Sequence, residues 1–514
     1  MLNRRTLLRS AAAAGALGAV WPLSSTLSPA QAYAAAADLG VTWDPKPFTL
    51  GVASGDPLPT SVVLWTRLAP DPLNPVQPLP DVVEVRWTVA EDARLTRKVA
   101  SGTTAATSLL GHAVHVPVQG LRPGRRYYYA FDALGVRSRI GRTRTAPVGP
   151  VSKVRFASAN CQAFHDGLYA AHRGIAREDL DFVVHLGDYI YEHGQVGGSH
   201  IRDHEGPAVF TLGDYRRRHA LYKGDASLRE AHAAHPWFFT WDDHEVANDY
   251  TGTEGSAPFV QRRAAAYQAW YEHIPHRVDG DGPPDIQLYR QRKWGDLLDL
   301  TVLDLRQYRT DQNLADGSIL GATQRAWLGQ RIDRAGDAWH CWVNSIMLSQ
   351  LARQGGGYYF TDQWDGFRTE RNSVLGQVHS SGLEDLVVIT GDWHSAFVDD
   401  LRPDFDNPDS PVIGTEFTAH SVTSSAYSAD WNATNGPVMG KANPHLKYFE
   451  GNRYGYDVYE VTPRRWSTHM RVIADRKVAD SPVTTLTTFH VDRGKAGSYE
   501  DPATAGSPAQ WRRP

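Results

Sequence analysis

From Val183 to Glu192 the chain reads V-V-H-L-G-D-Y-I-Y-E. An apolar run that breaks at Gly187-Asp188 has the form of a buried parallel strand with a carboxylate at its C-terminal end. In α/β folds that edge is where ligands and catalytic groups collect. Tyr191 follows Asp188 by three residues, so one short loop offers a carboxylate and a phenol. That pair suits a hard, highly charged cation better than a soft one. Read alone, the stretch fits a helix cap and a packing tyrosine equally well, and the rest of the chain has to decide.

Similar strand ends recur. Val154 to Ala159 predicts a strand running into Asn160-Cys161, within Ser158-Ala159-Asn160-Cys161. Phe238 to Trp241 predicts one ending in Asp242-Asp243-His244-Glu245, and Leu386 to Thr390 one ending in Gly391-Asp392-Trp393-His394. Leu298 to Leu305 and Trp339 to Met347 read as further strands. Leu168 to Glu178, Phe259 to Glu272 and Thr323 to Ala335 carry helical periodicity, so strands and helices alternate as in an α/β layered domain. One Asp-His pair after a strand is commonplace. Four clusters of carboxylate, thiol, phenol and imidazole at strand ends would repel one another if gathered on one edge, unless a cation neutralised them. The pattern therefore predicts a metal site.

The flanking sequence is of different character. Asn3-Arg4-Arg5-Thr6-Leu7-Leu8-Arg9, an apolar run from Ala11 to Leu27 and Ala30-Gln31-Ala32 predict a twin-arginine signal peptide over residues 1–32. Pro22 and the Ala/Gly content argue against a membrane anchor, and no later run approaches eighteen apolar residues. The expected product is a secreted or cell-wall-associated protein delivered by the twin-arginine machinery, which carries folded proteins and often metal-loaded ones. Residues 43–146 alternate as short strands separated by Gly/Pro turns. Leu121-x-Pro123 with Tyr127, Tyr129 and Phe131 resembles a fibronectin/Ig-like β-sandwich. Ala146 to Ser152 reads as a linker, residues 153–491 as the catalytic domain, and residues 492–514 as a tail or surface-lying cap.

Among 514 residues, 53 Lys and Arg face 57 Asp and Glu, a net charge of −4 that gives no basic surface for nucleic acid. Only two cysteines occur, Cys161 and Cys341, so at most one disulfide is available to an exported chain. The triplet Arg216-Arg217-Arg218 with His219 is expected to form a solvated helix face. His193, His232, His235 and His276 are expected to be structural or exposed. Asn432-Ala433-Thr434 matches a glycosylation acceptor, and Gly355-Gly356-Gly357 reads as a flexible loop rather than a phosphate-binding one.

The order of the four clusters resembles the metallophosphoesterase superfamily, whose motifs run D-x-H, G-D-x-x, G-N-H-D/E and G-H-x-H. Gly187-Asp188-x-x-Tyr191 is similar to its purple-acid-phosphatase version. Cys161 stands where the first aspartate is usual, Asp243 for the asparagine and Asp392 for the first histidine of the last motif. That combination resembles the PhoD-type alkaline phosphatases, as do Phe48 to Leu64 and Asp304-Leu305-Arg306-Gln307-Tyr308-Arg309, over nearly the whole mature chain. The resemblance implies a layered α/β/β/α catalytic domain preceded by a small all-β domain. It implies that Asp188 bridges two metals, with Cys161, Tyr191 and His394 completing an iron site and Asp243 and Asp392 a second site.

The donor chemistry agrees with this assignment. Thiolate, phenolate, imidazole and carboxylate together favour Fe³⁺, and an all-oxygen second site favours Ca²⁺, with Mg²⁺ or Mn²⁺ as alternatives. The implied reaction is hydrolysis of phosphate mono- or diesters at alkaline pH by a metal-activated water or hydroxide. His244 would protonate or stabilise the leaving oxygen, with a supporting hydrogen bond to Asp243 or Glu245 as its alternative role. Asn160 and Arg306 would contact phosphate oxygens, or else serve as a cap and a salt bridge. A phospholipase D acting on head groups keeps the same fold and metals and is the second reading. A non-catalytic protein binding cell-wall polymer or phosphate is the third.

Overall fold

The computed structural model describes residues 42–513, apart from 74–78, 195–199, 205, 278–285, 313, 315 and 506–510. The predicted signal peptide lies outside the described residues. Thr42–Pro514 is a single compact unit.

Two large sheets stack face to face. In the first, ten strands run in the spatial order Tyr499–Glu500, Val483–Asp492, Arg465–Ile473, Gly455–Val461, Val154–Ala159, Phe182–His185, Pro236–Phe239, Val52–Leu58, Ser61–Arg67, Ala113–Val118. In the second, eight strands follow as Arg290–Trp294, Leu298–Val302, Trp339–Val343, Leu386–Thr390, Gly414–Thr418, Ala396–Leu401, Leu446–Glu450, Trp511–Arg512. The centre of each sheet is parallel, with Val154–Ala159, Phe182–His185 and Pro236–Phe239 in the first and Leu298–Val302, Trp339–Val343, Leu386–Thr390 and Gly414–Thr418 in the second. Parallel strands covered on both faces are apolar throughout rather than alternating. Phe182, Val183, Val184 and His185 are accordingly all buried.

Phe156, Phe182, Val184 and Phe238 of the first sheet meet Leu298, Leu300, Val302, Val343, Val387 and Ile389 of the second in one continuous core. Leu328 and Ile332 of helix Gly321–Asp333, with Val374, Leu375 and Val378 of helix Arg368–Ser381, cover the outer face of the second sheet over Trp342 and Val388. Helices Ala170–Arg177 and Ala226–Ala234 lie outside the first. The layers are therefore α/β/β/α, as the family resemblance implies, and the helices expected from Leu168, Phe259 and Thr323 begin at Ala170, Ala257 and Gly321.

The N-terminal β-region is joined to this stack by hydrogen bonds. A five-stranded sheet, including Val82–Ala90, Lys98–Thr107 and Arg126–Ala133, packs Val85, Val89, Tyr129 and Phe131 on Val52, Val62, Leu64, Val114 and Val116. Those last residues belong to strands of the ten-stranded sheet, because Val52–Leu58 pairs in parallel with Pro236–Phe239. The linker at residue 146 separates the sequence but not the sheet. At the other end, Tyr499–Glu500 extends the first sheet and Trp511–Arg512 the second, so the C-terminal segment is edge strand rather than a free tail.

Several expectations are corrected by burial. Arg218 and His219 are buried, not solvated, and Arg216 forks onto Glu272 with both contacts at 2.6 Å. The strand predicted to reach Met347 stops at Val343. Asn432 is fully buried in helix Ala429–Ala442 and cannot accept a glycan. Cys161 and Cys341 are both free and buried, so the available disulfide is not made.

Candidate metal centre

The C-terminal edges of both parallel strand sets open onto one place. The first sheet delivers Asn160 and Cys161, then Asp188 and Tyr191, then Asp242 to Glu245. The second delivers Arg306, Asp392 and His394. Close approach of these loops is built into the backbone. Gly187 has φ +120°, and a Cβ there would lie 2.6 Å from the Asp242 Cβ, so only glycine lets the two loops touch. A Cβ on Gly391 would stand 2.7 Å from Nδ2 of Asn160. Cys161, Asp188, Asp392 and His394 themselves have φ of +49°, +55°, +67° and +54°. Left-handed geometry costs a non-glycine residue about 1–2 kcal/mol each. Four such residues at one edge are a concentration of strain of the kind found at functional sites.

The side chains predicted as ligands do come together. Donor atoms of Cys161, Asp188 and His394 lie within 4.8 Å of one another, as do those of Asp188, Asp243 and His244 and those of Asp242, Asp243 and Asp392. Asp188 belongs to the first two groups and Asp243 to the last two, so the three sets form one chain of donors. The Tyr191 hydroxyl is 2.9 Å from Oδ2 of Asp188 and 3.2 Å from Nε2 of His394, and accepts from Oγ of Ser424 at 2.7 Å. Nδ1 of His394 is held by the Ser425 carbonyl at 2.9 Å, which turns its other nitrogen toward Tyr191. Glu245 receives the backbone N–H groups of Tyr189, Asp188 and Asp242, at 2.7, 3.2 and 2.9 Å, and so pins the second loop to the third.

The electrostatics of this cluster call for a cation. Burial, then the negative fields of Asp188, Asp392 and Asp242, push the Cys161 thiol well up. Burial and the neighbours Asp242 and Asp243 do the same to Asp392, and burial, Asp188 and Cys161 to the Tyr191 phenol. Oδ1 of Asp188, Oδ2 of Asp242, Oδ1 of Asp243 and Oδ1 of Asn160 are buried without a hydrogen-bond partner. Buried oxygens left in this state are costly, and a multivalent cation satisfies them together while ionising the thiol and phenol. The residues present thus fit a metal centre.

Around it lie groups with fixed roles. Burial opposes charging of His244, yet Asp243, Asp188 and Glu192 outweigh it and hold its pKa well above the usual imidazole value. Its Nδ1 meets Oε2 of Glu192 at 2.7 Å, so its partner is Glu192 rather than the expected Asp243 or Glu245. The Arg306 guanidinium has no solvent exposure and is forked between Asp242, at 2.6 Å from Nε, and both oxygens of Asp362, at 3.1 and 2.7 Å. Any phosphate contact by Arg306 shares a group already committed to carboxylates. Asn160 is buried behind Gly391, with one weak bond from Nδ2 to the Ala419 carbonyl at 3.5 Å.

Sequence reasoning did not single out Glu192, Asp242, Asp362, Gln363 or Ser424. Asp242 and Glu192 were inside the quoted motifs. Asp362, Gln363 and Ser424 sit on distant loops with no local pattern to announce them, Gln363 donating to Oδ2 of Asp392. Of the histidines expected to be structural, His232 does bond the Tyr189 hydroxyl at 2.8 Å. His193 packs beside Tyr191 and His244, with ring centroids 5.6 and 5.8 Å away.

Comparison with known proteins bears on the same residues. Residues 156–470 match the family model of the PhoD-like phosphatases, and residues 33–147 match that of the PhoD-like phosphatase N-terminal domain. The chain belongs to the PhoD-like phosphatase family. Alkaline phosphatase D of Bacillus subtilis (strain 168) is 40% identical over 478 residues, covering 88% of this chain and 82% of that one. The solved structure of PhoD superposes with a TM-score of 0.85 at 38% identity, covering 90% of this chain and 93% of the other. As a PhoD-like phosphatase the chain is a metal-dependent phosphoric ester hydrolase. No helix among the described residues is long and apolar enough to cross a membrane.

Proposed function

We propose that this PhoD-like phosphatase is an exported alkaline phosphatase and phosphodiesterase with an Fe³⁺/Ca²⁺ centre. The observation that carries the reading is the meeting of Cys161, Asp188, Tyr191 and His394 from two sheets, with Asp243 and Asp392 alongside. Cys161, Tyr191, His394 and Asp188 would hold the iron, a set whose thiolate and phenolate suit a trivalent cation. Asp188, Asp243 and Asp392, with Asp242 close by, would hold the oxygen-loving second ion. When bound, the metals supply Lewis acidity toward a phosphoryl oxygen and lower the pKa of water.

The chain's own residues do the rest. His244, protonated and braced by Glu192, presents its remaining N–H as the donor to the leaving oxygen. Asn160 is the candidate for a phosphate oxygen. Arg306 keeps Asp242 and Asp362 ionised and in place, so that the acidic side of the centre does not collapse. Export through the twin-arginine machinery follows from Arg4-Arg5 and the apolar run behind them.

A second reading, release of phospholipid head groups, has one feature in its favour. Phe360 is half exposed and stacks at 5.0 Å on Trp393, the residue between Asp392 and His394. An apolar rim of this sort could take a bulky alcohol substituent. The test is to purify the mature protein with its metals and assay p-nitrophenyl phosphate, bis-p-nitrophenyl phosphate and phosphatidylcholine in parallel. Iron and calcium in the protein with turnover of the first two substrates supports the proposal. Zinc alone, or head-group release with neither nitrophenyl ester cleaved, overturns it.

A further inference from the structure

Beside the catalytic metals, on loops that carry two of their proposed ligands, four histidines gather without a role in the hydrolysis. His165 stands four residues after Cys161, and His193 two residues after Tyr191, while His200 and His204 come from the following loop. Their rings are mutually packed: His165 lies 5.3 Å from His193, 5.4 Å from His200 and 4.5 Å from His204, and His193 lies 5.6 Å from His204. One nitrogen from each of His165, His193 and His204 falls within 4.8 Å of the others, and His165, Asp166 and His200 form a second such triple. His165 is common to both.

Several of these nitrogens are left open. Nδ1 of His165 and both ring nitrogens of His200 are buried without a hydrogen-bond partner, and the His165 side chain is only 6% exposed. Nδ1 of His193 is taken by the Gly194 carbonyl at 2.8 Å, which leaves Nε2 for another partner. Burial lowers His165 to about 4, and burial with the Arg218 guanidinium lowers His204 further still, so both rings are neutral. Neutral imidazoles with unsatisfied buried nitrogens pack poorly for their own sake, since each open nitrogen forfeits a hydrogen bond.

Arg218 is the neighbour that would oppose a cation. Its Nη1 is 3.0 Å from Nε2 and 3.4 Å from Nδ1 of His204, and the Tyr222 hydroxyl is 3.0 Å from Nε2, so zinc would have to displace this donor from one of the two nitrogens. The guanidinium also donates to the carbonyls of Tyr191, His193 and Pro207, whose oxygens offset part of its field.

We propose that His165, His193 and His204, with His200 as the fourth donor, form a separate site for a borderline transition ion of the Zn²⁺ class. An imidazole-rich set selects zinc, copper or nickel over calcium and magnesium. Zinc–nitrogen bonds of about 2.0–2.1 Å in a tetrahedron bring the nitrogens to about 3.3 Å apart. The loops therefore close by an ångström or so on binding. Closure would tie the loop after Cys161 to the loop after Tyr191. The site stands on residues distinct from those of the catalytic centre and does not depend on which metals that centre takes.

The experiment uses the metal-loaded full enzyme, dialysed against Zn²⁺ with calcium in excess and then freed of loose ions. Metal content is measured for wild type, His165→Gln and the gentler His200→Gln, which alters a partly exposed ring. Wild type is expected to retain one zinc per chain in addition to unchanged iron and calcium, with nitrogen-dominated zinc X-ray absorption. His165→Gln is expected to lose that equivalent, and His200→Gln to bind zinc at least tenfold more weakly, each with full iron. Equal zinc in wild type and both variants overturns the proposal. So does zinc gained only in exchange for iron or calcium, or a zinc shell of oxygen and sulfur.

Discussion

Nδ1 of His244 and Oε2 of Glu192 face each other at 2.7 Å, across 52 residues of sequence. Glu192 is buried, but the His244 imidazolium and the Asn248 N–H hold its pKa down to about 2, so it is the acceptor and Nδ1–H the donor. The pairing fixes the ring and leaves one N–H for the substrate, which is the arrangement a general acid needs.

His244→Ala is expected to lower kcat by about 10²–10³-fold for alkyl phosphates. Loss for p-nitrophenyl phosphate, whose leaving group barely needs a proton, should be much smaller. Glu192→Gln should lose about tenfold or less, and the double variant should be no worse than His244→Ala alone, because the two act as a unit. Steady-state kinetics across a leaving-group series reads this directly, and a flat loss across the series would remove His244 from the proton path.

Asp392→Asn takes one carboxylate from the proposed second metal while leaving Cys161, Asp188, Tyr191 and His394 untouched. Iron should stay bound, and the calcium requirement should rise by about 10–100-fold. Activity titrated against added Ca²⁺ and iron content by mass spectrometry separate the two. Simultaneous loss of both ions would show that the two metal positions are not independent.

Gly187→Ala places a methyl 2.6 Å from the Asp242 Cβ at a φ of +120°. Strain and overpacking together should cost about 2–4 kcal/mol. A depressed thermal unfolding midpoint with weakened metal retention is the expected result, because the same methyl pries the second loop from the third.

Lys223 supplies a pH dependence. Its ammonium is buried 4.3 Å from the Trp65 ring, and burial, assisted by Arg229, lowers its pKa from 10.5 to about 7. Between these two values the unfolded chain binds a proton that the folded one has released. Stability from this group therefore rises from pH 7 toward pH 10.5 and is level outside that window. The slope is at most on the order of 1 kcal/mol per pH unit. Urea midpoints measured from pH 7 to pH 10 should climb less steeply in Lys223→Met than in wild type.

Cys161, Asp188, Asp243, Asp392 and His394 announce themselves because each follows an apolar run, and the C-terminal end of a parallel strand is a position that periodicity marks. Tyr191 is legible through its fixed distance from Asp188. Local pattern also marked a layered α/β domain, since strands buried on both faces are apolar in every residue, whereas the α/β/β/α order came from the family resemblance. It failed where a partner comes from far away in the chain. Arg218 reads as one of three surface arginines, yet it is drawn inward by the carbonyls of Tyr191, His193 and Pro207. Asp362 looks like an ordinary loop acid and becomes the bidentate partner of Arg306 only when the loops are folded over the sheet edge.

Residue order along the chain thus determined which side chains this protein presents at its strand ends, and in what chemical company a metal would find them. Tertiary structure alone decided that Val52–Leu58 would extend the catalytic sheet, that Glu192 rather than Asp243 would brace His244, and that four histidines would meet beside Tyr191. The physical reason is the range of each signal. Strand and turn propensities act over a few neighbours, whereas the cost of burying a charge or an open imidazole nitrogen is settled only by whatever the rest of the fold brings within hydrogen-bond reach.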